Sequence, residues 1–389
     1  MTASAQPPPI PAAARPAPPA QTTIVRATVA EAAGATLVVA GLAVLERSVR
    51  QLGRQAGMRV LVASDGAFSL PPTLPVAAEV RRLEGDADAA VERLRAETGG
   101  TVVAGNMVRL RGDAPTGGLR VSDEVSRLAA EDAIFADLLR GDLGFVARHL
   151  NKKISFRITR HLLCHLPITP NQVTLGAAAL GLIGCLLLAS GGYAMMVAGM
   201  ALAQLQSILD GCDGELARVR FQQSHIGEWL DTLVDDFMNV ALISGIAIGL
   251  HRSGYSALWT AGGFLAVAMY LFYNVVSYRE LIRQGVGGEL INIRWKAARG
   301  RDMKSMASNR SAGLGERLLA LGRRDTFVLG WLVLAILHAM PVAIVWALIV
   351  AGFSFWAAVV QVTASDTTSD TAVDVTDDAT PDVPPGPAN

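Results

Sequence analysis

The sequence predicts an α-helical polytopic membrane domain of six transmembrane helices, preceded by a small α/β domain. Three observations carry this. Apolar residues make up 51% of the chain and charged residues only 17%, with a mean hydropathy of +0.37, a balance too apolar for an ordinary soluble protein. The second half holds apolar runs of about 20 residues, the length that spans a bilayer core. The first half instead alternates short β-branched runs with amphipathic stretches, the pattern of a parallel sheet with covering helices. With 389 residues, more than one domain is expected.

Residues 1–21 are Pro- and Ala-rich and predict a disordered tail leaning to polyproline II. They show no basic-then-apolar signal pattern. The α/β domain is expected over 22–140. Thr36–Ala40 reads as a strand, and Leu42–Gly57 as a helix with Leu45, Val49 and Leu52 on one face. Arg59–Ser64 is a second strand, Asp86–Gly100 a helix, and Thr101–Gly105 a third strand. An amphipathic helix over Asp123–Arg140 leads towards the membrane.

The membrane domain is expected over 141–361. Arg148, Lys152, Lys153, Arg157 and Arg160 alternate with Phe145, Leu150, Ile154 and Leu162, as in an interfacial helix on an anionic leaflet. The six spans are expected at Leu175–Ala189, Tyr193–Leu209, Gly227–Leu250, Ala257–Val276, Thr326–Met340 and Pro341–Val360. The interfacial helix and the loop Arg279–Arg324 are basic, whereas the short turns at Ser190–Gly192, His251–Tyr255 and Met340–Pro341 are nearly free of charge. The positive-inside rule then puts both termini, the α/β domain and the acidic stretch Asp210–Asp235 in the cytoplasm. Residues 362–389 carry Asp among Thr, Ser and Pro and predict a disordered acidic tail. Net charge is zero, so no nucleic-acid partner is implied. Cys164, Cys185 and Cys212 have no metal or redox spacing and read as reduced and structural.

The chemistry concentrates in Asp210–Asp235, DGCDGELARVRFQQSHIGEWLDTLVD. Asp210 and Asp213 are three apart, and Asp231 and Asp235 four apart, so each pair shares a helix face. Two packed helices would bring all four carboxylates into one volume. Such a cluster repels itself without a cation, and hard divalent ions are its natural partners. Two such ions, about 4 Å apart, catalyse in-line displacement at phosphorus. Gly214, Ala217 and Gly227 remove bulk beside the acids, and Arg218 adds a fork suited to phosphate.

The pattern D-x2-D-G-x2-A-R-x8-G-x3-D-x3-D is complete here. It resembles the signature of the CDP-alcohol phosphatidyltransferase family. The resemblance implies two ions, Mg²⁺ or Mn²⁺, on Asp210, Asp213, Asp231 and Asp235. It implies a CDP-linked donor, a hydroxyl acceptor and release of CMP, with Asp235 also the general base. It places the start of the first span near the nucleotide, making Asn171 and Thr174 candidates; an N-cap role suits Asn171 equally. Arg323 and Arg324, before the fifth span, could bind a phosphate of the acceptor or simply flank the span. The bilayer is the remaining partner, and a homodimer stays open.

The segment VAGLAVLERSVRQLGRQAGMRVLVAS is similar to the early part of sugar-nucleotide-type nucleotidyltransferases. Working members carry a Gly-rich loop with a basic residue where this chain has AEAAGATLVV, and a metal-binding Asp where it has Asn106. A non-catalytic domain is expected, with an unrelated accessory domain as the alternative. Overall the order of domains resembles the bifunctional inositol-phosphate cytidylyltransferase and di-inositol-phosphate phosphate synthase type. The alternatives are a phospholipid synthase using CDP-diacylglycerol, and a bifunctional enzyme that makes its own CDP-alcohol. A transporter would more often show broken helices in matching halves, and no internal repeat is visible.

Overall fold

The computed structural model describes residues 21–28, 35, 37–53, 58–66, 78–110, 118–139, 144–284 and 322–363. Of the tails expected over 1–21 and 362–389, residues 1–20 and 364–389 lie outside the described residues, as do the segment 29–34 and most of the basic loop (285–321), while Gln21 belongs to a strand and Val362 and Thr363 to the last helix.

The first domain is built on a four-stranded, all-parallel sheet of order β5-β4-β1-β6. Its strands are β1 (Gln21–Ala27), β4 (Met58–Ser64), β5 (Glu79–Arg82) and β6 (Thr101–Ala104). The central strand β1 is not among those expected from the sequence, nor is β5. The run expected as a strand at Thr36–Ala40 stays outside this sheet. It forms a two-residue hairpin, β2 (Val38–Val39) with β3 (Leu42–Ala43). The cause is local: Ala40 and Gly41 both have positive φ, +47° and +80°, and such pairs close tight hairpins.

Helix α1 (Val44–Gly53) packs on the sheet through Leu45, Val49 and Leu52, each at most 1% exposed. An isolated helix this short is marginal. Burying each such side chain is worth about 1.5–3 kcal/mol, so packing and not propensity holds it. Helix α2 (Ala87–Thr98) is capped by Asp86, which accepts from Ala89 N, and closed by Gly99 in the left-handed region. The pair β7 (Met107–Val108) and β8 (Leu119–Arg120) leads to α3 (Glu124–Leu138). Asp123 caps α3 in a reciprocal box with Ser126, and these hydrogen bonds hold its carboxyl below the usual range.

A short π-turn (Ala147–Asn151) opens α4 (Lys152–His161). Then follow α5 (Pro170–Ser190), α6 (Tyr193–Val219), α7 (His225–Arg252), α8 (Ala257–Gln284), α9 (Arg324–Ile336) and α10 (Met340–Thr363). Among the described residues five of these are long and apolar enough to cross a membrane: α5, α6, α7, α8 and α10. The fifth expected span, Thr326–Met340, corresponds to α9, of only 13 residues. At 1.5 Å per residue it covers about 20 Å, short of a hydrocarbon core of about 30 Å.

α5 and α6 approach closely because Gly184 and Gly199 face each other's backbone. A Cβ on Gly184 would lie 2.8 Å from the Gly199 carbonyl, and one on Gly199 2.6 Å from that of Gly184.

The two domains share a core. Val39, Val44, Val108, Val121, Ile134 and Phe135 of the first pack with Leu163, Cys164, Cys212, Leu216 and Val219 of the second. Gly41 meets the Cys164 carbonyl so closely that a Cβ would sit 2.6 Å from it. Arg47 is buried there, donating to the carbonyls of Val39 (2.9 Å) and Ala40 and lying over the Phe221 ring. Burial pushes its guanidinium down to about 10. All three cysteines are free and buried; burial pushes the Cys164 thiol up to about 11, far from the thiolate a reactive cysteine needs.

Candidate active site

The acids enter from two consecutive helices. Asp210 and Asp213 lie in the second half of α6, and Asp231 and Asp235 in the first half of α7. The five residues between the helices reverse the chain. Arg220 closes α6, and Ser224 caps α7 by accepting from Gly227 N at 3.0 Å. Carboxylate oxygens of Asp210, Asp231 and Asp235 come within 4.8 Å of one another. Asp213 is outside that trio. It is buried and turned towards α5, accepting from the Thr174 hydroxyl and from Gly214 N at 2.5 Å.

Arg324, the first residue of α9, reaches into the trio. Its guanidinium lies 3.6 Å from Asp210 Oδ2 and against Asp235 Oδ1, and donates to Gln206 Oε1 at 2.7 Å. Gln206 is one turn before Asp210 and faces it at 3.5 Å. Three like charges so close are unfavourable without positive charge among them, and one side-chain cation already lies against two of the three. The donor set is all oxygen. These residues fit hard divalent cations.

The other sequence candidates divide. Gly214 and Ala217 are half-buried, and Arg218 is exposed; its Nη2 would lie 3.7 Å from a Cβ on Gly214. Asn171 Oδ1 would be 3.2 Å from a Cβ on Gly227, so it faces the start of α7. The N-cap alternative for Asn171 is overturned. Thr169 caps α5, forming a reciprocal box with Gln172, and Pro170 takes the first turn. Arg323 and Arg324 part company. Arg323 pairs with Asp325 at 3.7 Å, and Asp325 accepts from Ala147 N at 2.8 Å, while Arg324 alone joins the acids.

Sequence reasoning missed four polar groups around the site. Gln206 could have been found from its i, i+4 spacing to Asp210. Arg220 donates to the carbonyls of Leu163, Cys164, Leu166 and Ile168, tying the end of α6 to the segment before α5. Asp236, buried beside Asp235, accepts from Tyr270 Oη at 2.5 Å and from Tyr278 Oη, fixing α7 to α8. Glu215 is fully buried and paired with Lys152. The basic residues of α4 are therefore not all free to face lipid, since Arg160 also pairs, with Asp132 at 2.5 Å and Glu131 at 3.3 Å.

The profile described as CDP-alcohol phosphatidyltransferase matches residues 167–363, half of the chain. A bifunctional IPC transferase and DIPP synthase of Rubrobacter xylanophilus is 37% identical over 248 residues, which cover 60% of this chain and 51% of the relative. The protein of the same name from Aquifex aeolicus is 33% identical over 136 residues, 35% of this chain and 30% of the relative. A phosphatidylinositol phosphate synthase of Cutibacterium acnes is 33% identical over 113 residues, 28% of this chain and 51% of the relative. The chain spans about half the length, or less, of these relatives.

Proposed function

Since the chain belongs to the CDP-alcohol phosphatidyltransferase family, we propose that it moves a phosphoalcohol group from a CDP-alcohol to a hydroxyl acceptor and releases CMP. The observation that carries this is the convergence of Asp210, Asp231 and Asp235 within 4.8 Å, with Asp213 beside them on the same helix as Asp210.

Asp210, Asp231 and Asp235, with Asp213 next to them, would hold two Mg²⁺ or Mn²⁺ ions. Bound there, such ions supply charge neutralisation for the donor diphosphate and the departing CMP. Gly214, Ala217 and Gly227 leave room for the nucleotide, Arg218 offers its fork to phosphate, and Asn171 and Thr174 approach from α5. Asp235 takes the proton of the acceptor hydroxyl. The new bond joins the acceptor oxygen to phosphorus, the phosphorus–oxygen bond to CMP breaks, and its electron pair leaves with CMP. Arg324 is the better-placed cation for an acceptor phosphate, because it already lies at the acids, while Arg323 is held by Asp325.

The leading substrates are CDP-inositol and inositol phosphate, in keeping with the names of the relatives. The first domain is read as non-catalytic because Asn106 stands where a metal-binding Asp is needed. We read the site and the first domain as cytoplasmic from the basic residues of the sequence; having both termini on that side further requires that the short α9 completes a sixth crossing. A homodimer belongs to the same reading, tested by the mass of the detergent-solubilised protein.

The deciding experiment is CMP release by the purified protein in detergent, supplied in parallel with CDP-inositol plus inositol phosphate and with CDP-diacylglycerol plus inositol phosphate. Release with the first pair supports the leading reading, and release only with the second makes the protein a phospholipid synthase. No CMP from any CDP-alcohol would overturn the reading.

A further inference from the structure

Glu215 is a buried carboxylate with no place in the chemistry above. Its side chain is 0% exposed, and a buried charge persists only where it is paired and hydrogen-bonded. All its partners come from one face of α4. Lys152 Nζ lies 2.7 Å from Oε1, Ser155 Oγ donates to Oε1 at 2.5 Å, and Thr159 Oγ1 donates to Oε2 at 2.7 Å. Residues 152, 155 and 159 share a helical face by spacing. Ser155 and Thr159 are themselves almost fully buried, so this face is built for the carboxylate.

The second half of the arrangement touches the motif itself. Lys152 Nζ also approaches the Gly211 carbonyl at 3.4 Å, and Cys212 Sγ lies 3.7 Å from the Ser155 carbonyl. Gly211 and Cys212 are the two residues between Asp210 and Asp213. The clamp thus grips α6 within and just beyond the turn from which these two acids project. Glu215, two residues beyond Asp213, points to the opposite side of α6.

We propose that Glu215 is a positioning residue: through Lys152, Ser155 and Thr159 it locks α6 to α4 and fixes where Asp210 and Asp213 point. This rests on reading the four aspartates as cation ligands. Groups that orient metal ligands typically change metal affinity by about 10–100-fold when removed. A rigid lock is what such a site needs, because small misplacements of ligands are costly.

The test is Mn²⁺ affinity of the purified full chain in detergent, read from the spin-resonance signal of free Mn²⁺, with no substrate present. Glu215→Gln keeps the size of the side chain and removes its charge. It should weaken Mn²⁺ binding about tenfold or more in protein that stays monodisperse. Lys152→Gln should do the same and Lys152→Arg should restore most of the loss. If Glu215→Gln does not fold, the pair Ser155→Ala with Thr159→Val keeps the ion pair and carries the same comparison. Variants that melt earlier yet bind Mn²⁺ as the parent does would show Glu215 to be merely structural and overturn the proposal. A parent chain without saturable Mn²⁺ binding would overturn the cation reading itself and this proposal with it. Parental binding with unchanged variants overturns the positioning role alone.

Discussion

The Thr174 hydroxyl donates to the Asp213 carboxylate, joining the second turn of α5 to the motif acid that stands outside the close trio. Thr174 is 4% exposed and also lies 3.2 Å from the Pro170 carbonyl, so its hydroxyl sits between a backbone acceptor and a charged one. Thr174→Val removes that hydroxyl with little change in volume. CMP release should fall about 10–100-fold, as when a partner that orients a ligand is lost, while Thr174→Ser should retain most of it. Parental turnover by the valine variant would remove Thr174 from the site.

Asp213→Asn should abolish transfer while the protein stays folded. The change takes one negative charge away from a crowded set of carboxylates, so stability need not drop. The amide can still accept from Thr174, which separates loss of ligand charge from loss of the hydrogen bond. Steady-state CMP release and a melting curve on the same preparation check both halves. Substantial residual release would sink the assignment of Asp213 as a ligand.

Asp231 and Asp235 were legible as a pair because i, i+4 spacing is local, whereas Asp213, expected beside Asp210, turns instead to Thr174 on α5. The convergence of Asp210 with Asp231 and Asp235 depends on α5, against which α6 and α7 both pack while scarcely touching each other. What failed to show was long-range. Lys152 and Glu215 are 63 residues apart, and Arg220 reaches carbonyls more than 50 residues away. In the first domain, Val38 and Val39 have strand chemistry, but the positive φ of Ala40 and Gly41 turns them into a hairpin. QTTIVRA became the central strand although it follows a Pro-rich stretch and offers only brief alternation. The apolar run Thr326–Met340 read as a span because composition does not reveal that the helix stops at Ile336, ahead of a turn with His338 at φ +57°.

Activity should vanish in EDTA and return with Mg²⁺ or Mn²⁺, since an all-carboxylate donor set selects hard ions. Arg324 cannot replace them. It is one charge held by α9, and it lies against Asp210 and Asp235 but is fixed to Gln206 on its far nitrogen. Full turnover in chelator would contradict the cation reading.

Arg324→Gln separates acceptor recognition from donor recognition. A hydrogen bond to a charged group is worth about 1.5–3 kcal/mol, so the KM for a phosphorylated acceptor should rise about 10–100-fold. The KM for the donor should change little. Arg323→Gln should have a much smaller effect, because Arg323 is turned towards Asp325 and the segment at Ala147. Equal effects of the two variants on acceptor KM would return both residues to ordinary flanking charges.

The last prediction concerns the first domain. Asn106 offers an amide where a nucleotidyltransferase needs a metal-binding carboxylate, and the run AEAAGATLVV has no basic residue with which to hold a triphosphate. In the structure this domain packs on the motif helix. Val39, Val44, Ile134 and Phe135 cover Cys212, Leu216 and Val219 on the far face of the motif helix, and Gly41 seats against the Cys164 carbonyl. A chain starting at Gly141 would expose that apolar face to water, at a cost of about 25 cal/mol per Å². It should still release CMP from a ready-made CDP-alcohol, but melt earlier and aggregate sooner than the full chain. Gly41→Val should destabilise in the same direction, since its Cβ meets backbone and its φ disfavours side chains. The full chain should make no CDP-alcohol from CTP. CTP-dependent synthesis by the full chain, lost on removal of residues 22–140, would show that Asn106 and its neighbours form a working site after all.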